Sequence, residues 1–152
     1  MAEVIALIDY GAGNLHSVHN ALKAAGASVT VTADPFVVRA ADRIVLPGVG
    51  SFKACAEGLN AISGMVEAMK ERVHIGGAPF LGICVGMQLL ADRGLEHGET
   101  PGLGWVPGEV RLIEPTDPAI KVPHMGWNDV AILPHARDHA VIEEGEAYFL
   151  HS

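Results

Sequence analysis

The 152-residue sequence is poor in cysteine, in aromatic side chains and in positive charge, and each shortage closes off a class of function. Its two cysteines, Cys55 and Cys84, form no CxxC pair and are too few for the disulfide framework that staples small secreted folds. The start, MAEVIALIDY, lacks the basic region and long apolar stretch of a signal peptide, so a reduced, cytoplasmic protein is expected. Only 10 Lys and Arg stand against 18 Asp and Glu, for a formal net charge of -8. Binding a phosphate backbone needs clustered cations, so no nucleic-acid partner is expected. No apolar run approaches the roughly 20 residues of a membrane span, and no membrane association is expected either.

What is present is an apolar sequence, 49% hydrophobic, with 18 glycines and few aromatics, a balance that suits strands and helices packed closely through small side chains. Val4 to Ile8 is a short buried-type run closed by Asp9 and the turn Gly11-Ala12-Gly13-Asn14. From Leu15 the apolar positions Leu15, Val18, Leu22 and Ala25 follow helical spacing, and Gly26 stands where a left-handed cap belongs. Val29–Val31 and Ile44–Leu46 read as further strands, Ser51–Leu59 and Met65–Val73 as helices, and Pro79–Ile83 as a strand that leads into a helix from about Val85. Alternation of this kind predicts an α/β fold with a mostly parallel sheet, helices on both faces, and ligands at the carboxyl ends of the strands. After about residue 92 the texture changes to glycine, proline and short alternating runs such as Val110–Ile113, which predicts a β-rich excursion.

The sharpest chemical signal is Gly82-Ile83-Cys84-Val85-Gly86, a cysteine in a G-x-C-x-G frame where a strand turns into a helix. Such a turn strains the backbone at the nucleophile, and the flanking glycines let strand and helix approach without Cβ clashes. A following helix N-terminus would favour the thiolate. Cys55 has no such frame and reads as packing. A thiolate that attacks a carbonyl needs donors for the developing oxyanion, and the loop Pro47-Gly48-Val49-Gly50, expected to neighbour Cys84 across the sheet, offers one N–H at Val49 or Gly50, with that of Val85 as the second.

Other motifs fail on inspection. Gly11-Ala12-Gly13 invites a dinucleotide site, but the third glycine of G-x-G-x-x-G falls on His16. The eight histidines include pairs that would share a helix face, His16 with His19 and His135 with His139, yet none joins a cysteine cluster or an H-E-x-x-H arrangement. No metal and no cofactor are expected.

Together these residues resemble the class I glutamine amidotransferases, which combine a parallel sheet, a PGVG-like loop and a G-x-C-x-G elbow. Asp9-Tyr10-Gly11-Ala12-Gly13-Asn14-Leu15, the elbow tail Cys84 to Leu90, and above all Pro123-His124-Met125-Gly126-Trp127-Asn128 resemble the histidine-biosynthesis branch. The resemblance implies that Cys84 attacks the glutamine side-chain amide and that ammonia passes to a (β/α)₈-barrel cyclase in a heterodimer, which makes imidazole glycerol phosphate. It further implies glutamine contacts at Gly48, Gln88, His151 and Ser152, and a cyclase-facing surface that includes Asn14 and Trp127.

In the family the base and its orienting acid form a His-x-Glu motif well beyond the position of Ser152, so residues 1–152 are expected to supply neither. On that comparison the chain is a single amidotransferase domain, C-terminally truncated, with part of its sheet unsupplied and no activity alone. The alternatives are a cyclase-binding module that hydrolyses nothing, and another cysteine hydrolase of the same architecture that takes its base from a histidine already present.

Overall fold

The structure is a computed structural model that describes residues 3–139 and 141–152, and its contacts group into two compact units, Met1–Arg111 and Leu112–Ser152. The first unit is built on a four-stranded parallel sheet of β1 (Val4–Ile8), β2 (Ser28–Thr32), β3 (Arg43–Gly48) and β4 (Phe80–Cys84), in the order β2-β1-β3-β4. Between these strands run α1 (Leu15–Ala24), α2 (Pro35–Ala40), α3 (Phe52–Ala61) and α4 (Met65–Lys70), the last continued by a π-helical turn at Glu71–Ile75. The mixed α/β architecture is the one the alternating pattern predicts.

Local chemistry accounts for the element ends. Asn14, Asp34 and Ser51 each accept a backbone N–H of the first turn of α1, α2 and α3, which satisfies donors that a helix start leaves orphaned. At the far end of α1, Ala27 N–H bonds to Leu22 and Gly26 N–H to Lys23, a left-handed C-terminal cap with Gly26 at φ 87°. The core lies between sheet and helices: Ile8, Ile44, Leu46, Phe52, Leu59, Met65, Met69 and Leu89 are essentially removed from water. Each such side chain contributes about 1.5–3 kcal/mol of transfer free energy.

The helix expected from Val85 is cut short. α5 (Val85–Gln88) is four residues long, and the chain then forms β5 (Ala91–Gly94), β6 (Thr100–Pro101) and β7 (Val106–Val110), a small sheet in the order β6-β5-β7. The cause is non-local: the carbonyls of Leu89, Leu90 and Ala91, which would carry the helix on, accept N–H groups of Leu103, Trp105, Val106 and Gly104. The alternating run at Val110–Ile113 is strand only as far as Val110.

The second unit is a two-stranded antiparallel ribbon of β8 (His124–Val130) and β9 (Gly145–His151), with a 3₁₀ turn at Pro134–Ala136 between them. Trp127 is the middle residue of β8. His135 and His139 share no helix face, because that 3₁₀ turn is only three residues long.

Candidate active site

Cys84 ends β4 and precedes α5 with φ 55° and ψ -121°, a conformation that side chains other than glycine rarely adopt. The turn is possible because its neighbours are small. A β-carbon on Gly82 would lie 2.6 Å from the Cα of Met87, and one on Gly86 would overlap the carbonyl oxygen of Leu46. Strand, turn and α5 therefore pack backbone against backbone, and the Cys84 side chain is left exposed. The helix that follows it, α5, is one turn long.

The loop after β3 lies beside this turn. Gly48 pairs with Cys84 in the sheet register, and a β-carbon on Gly48 would sit 2.5 Å from the amide nitrogen of Gly86. Gly48 is buried, whereas Val49 and Gly50 are exposed at the carboxyl end of β3. Gly50 has φ 98°, and Ser51 then caps α3. Gln88, the last residue of α5, lines a shallow pocket with Met87, Leu90, Val106 and Glu109. Val85 is buried behind the elbow.

Asn14 is exposed, but its side-chain oxygen is engaged with the N–H of Ser17 at 3.2 Å. In the second unit Trp127 is 71% exposed and packs edge-on against Tyr148, with ring centroids 5.7 Å apart. His151 and Ser152 are exposed at the end of β9, and His151 Nε2 lies 2.9 Å from His124 Nδ1.

One literal His-x-Glu triplet does stand within the chain, His97-Gly98-Glu99, which corrects the expectation that none is supplied. Its surroundings are those of a turn. His97 has φ 56° and a side chain 80% exposed, and Glu99 is tied to Arg93 at 3.2 Å. Among the described residues no hydrogen bond joins Cys84 to a histidine, and no group of three or more His, Cys, Asp or Glu gathers as a metal site.

Three further residues at the site have contacts that the sequence does not announce. The Glu96 carboxylate accepts the N–H of Phe52 at 2.8 Å and so anchors the start of α3 directly after the glycine loop. Tyr10 and Cys55 are buried beneath that loop and bond to its carbonyls. Tyr10 stands in the motif Asp9–Leu15, but nothing in that motif points to Pro47, and only the folded chain brings the three to the loop.

A parallel sheet whose third strand ends in a glycine loop beside a strained cysteine elbow defines a glutaminase-type α/β domain. The model of the class-I glutamine amidotransferases matches residues 6–147, and the chain belongs to that family. Among curated relatives, the imidazole glycerol phosphate synthase subunit HisH of Zymomonas mobilis is 54% identical over 99% of this chain and 71% of its own length. The subunit of the same name from Caulobacter vibrioides is 50% identical over 99% of this chain and 73% of its own. A solved structure described as a glutamine amidotransferase superposes with a TM-score of 0.69 at 16% identity, covering 95% of this chain and 70% of that one, a likeness of fold.

Proposed function

We propose that this chain is the glutaminase subunit of an imidazole glycerol phosphate synthase, which releases ammonia from glutamine for a (β/α)₈-barrel cyclase in a cytoplasmic heterodimer. The observation that carries the reading is the strained, exposed Cys84 packed against the Gly48 loop at the carboxyl end of a parallel sheet. The relatives' common name and the family match support the same class of chemistry.

In this reading the Cys84 thiolate adds to the side-chain amide carbon of glutamine, and the carbonyl oxygen gathers negative charge. Backbone N–H groups of Val49 or Gly50 and of Val85 stabilise that charge. The carbon–nitrogen bond then breaks, the nitrogen takes the proton that the thiol gave up and leaves as ammonia, and a thioester remains. Water adds to the thioester, the carbon–sulfur bond breaks, and glutamate and the free thiol are restored. Gly48 and Gln88 of the first unit contact the substrate, while Asn14 and Trp127 face the cyclase.

The test is glutamate formation by the protein as its gene encodes it, with the cyclase present, for wild type and Cys84→Ala. Loss of the nucleophile should abolish turnover, on the order of a millionfold where such residues have been removed elsewhere. Hydrolysis retained by Cys84→Ala would remove Cys84 from the reaction.

A further inference from the structure

The β8–β9 ribbon has two unlike faces. On one, His124 pairs with His151 and Gly126 with Phe149, and most of its residues are half-buried. The other turns outward along its length: its rungs are Met125 with Leu150, Trp127 with Tyr148, and Asp129 with Glu146, and all of these residues are exposed. The third rung breaks a rule of sheet pairing. Carboxylates directly opposite each other, with β-carbons about 5 Å apart, repel and destabilise the pair of strands. A cation beside them would relieve this, yet among the described residues neither Asp129 nor Glu146 makes an ion pair. From Leu112 to Ser152 the only lysine or arginine residues are Lys121 and Arg137, in a segment rich in carboxylates.

The place of this rung gives the repulsion a use. Rungs on one face of a ribbon stand two residues apart, about 7 Å. The carboxylates therefore lie about one side-chain length from the Trp127 and Tyr148 rings, which pack edge-on with centroids 5.7 Å apart. A face with an apolar centre and a charged margin has the anatomy of a protein interface. In the free chain the acidic margin weakens the ribbon. Met by a lysine or an arginine, both carboxylates share one counter-charge, and repulsion gives way to attraction. Departures from local consistency of this kind are expected at functional sites.

We propose that Asp129 and Glu146 together take one cation from the partner's surface, a side chain seated about 7 Å from the recess that receives Trp127. The inference rests on the reading that Trp127 faces the cyclase, and it names the chemistry the cyclase must offer there. An arginine fits the rung best, because its planar fork can bond to two carboxylates at once, whereas a lysine offers a point charge. A contact at the margin of an interface acts chiefly on the rate of encounter and on sensitivity to salt.

The experiment titrates the cyclase into the protein as its gene encodes it, at about 50 mM and about 500 mM salt. It compares wild type with Asp129→Asn, Glu146→Gln, their double variant, Asp129→Lys and Trp127→Ala. We expect each neutralised carboxylate to weaken binding about fivefold at low salt, and Asp129→Lys to weaken it about tenfold or more by setting like charges together. These losses should shrink at high salt, where exposed charges are screened. The free double variant should melt at the wild-type temperature or above it, because the repulsion across the rung is gone. Unchanged affinity in the carboxylate variants overturns the cation site, as does a loss that salt leaves untouched or that accompanies a lowered melting temperature. Should Trp127→Ala weaken binding while the carboxylate variants do not, the cation site falls and the docking face stands. Should neither Trp127→Ala nor the carboxylate variants bind differently from wild type, the docking reading falls with it. Self-association of wild type, lost in these variants at constant cyclase affinity, would make the occupant a second copy and the proposal wrong.

Discussion

Gly86 and Leu46 meet backbone to backbone: the first residues after the Cys84 elbow lie so close to β3 that a methyl group on Gly86 would overlap the Leu46 carbonyl oxygen. The obstacle is main chain in the centre of a parallel sheet, which cannot swing aside as a side chain would. Gly86→Ala should therefore cost about 1–3 kcal/mol of stability or more, a typical penalty for overpacking. Urea unfolding of the variant measures it, and a wild-type midpoint would mean that the sheet yields more readily than its register suggests.

The two cysteines should react very differently. Cys84 is exposed on a strained turn, whereas Cys55 is fully buried with its thiol bonded to Val49. Brief treatment of the folded protein with iodoacetamide or a glutamine-mimicking electrophile should label Cys84 and spare Cys55 until the chain is unfolded. Peptide mapping by mass spectrometry decides the matter, and preferential modification of Cys55 would defeat the elbow assignment.

Much of the first unit is legible because its signals are local. The run Val4–Ile8, the helical spacing after Leu15 and the cap at Gly26 each lie within a few residues of the structure they specify. The G-x-C-x-G frame is legible for the same reason, since the clash it avoids arises in the turn itself and across one neighbouring strand. The length of α5 is not, because the N–H groups that capture the carbonyls just after it come from residues 103–106. Nor is the support under the glycine loop: Tyr10 acts across 37 positions, and Cys55 carries no mark that separates it from a packing residue. The triplet His97-Gly98-Glu99 shows the converse hazard, a motif by spelling that folds as a salt-bridged turn.

Trp127 should matter to association more than to folding. In the β8–β9 ribbon Met125 pairs with Leu150 and Trp127 with Tyr148, which sets four apolar side chains on one face, each more than half exposed. Large aromatics on such a face dominate interface energetics, and loss of one costs about 2 kcal/mol or more, roughly thirtyfold in affinity. Trp127→Ala should weaken cyclase binding by that order, as read by titration calorimetry, while its melting temperature stays close to wild type. Unchanged affinity with a lost melting transition would show that Trp127 stabilises the fold instead.

Tyr10 should make the protein sensitive to alkali. Its hydroxyl is held protonated in the folded state first by burial and then by the neighbouring Cys55 thiol, far above its ordinary value of 10.0. In the unfolded chain the same group loses its proton near pH 10. Below that pH both states carry the proton and the contribution is fully present. Above it the unfolded state binds fewer protons than the folded one, so stability falls as pH rises. Two measurements follow. Below the pH of unfolding, tyrosinate absorbance should superimpose for wild type and Tyr10→Phe, because the buried phenol contributes none. Across pH 9 to 12, wild-type stability in urea should decline more steeply than that of Tyr10→Phe, which has no proton to lose at that position. An extra tyrosinate signal in the folded wild type, or equal slopes, would mean that the Tyr10 hydroxyl reaches solvent and does not stay locked on the Pro47 carbonyl.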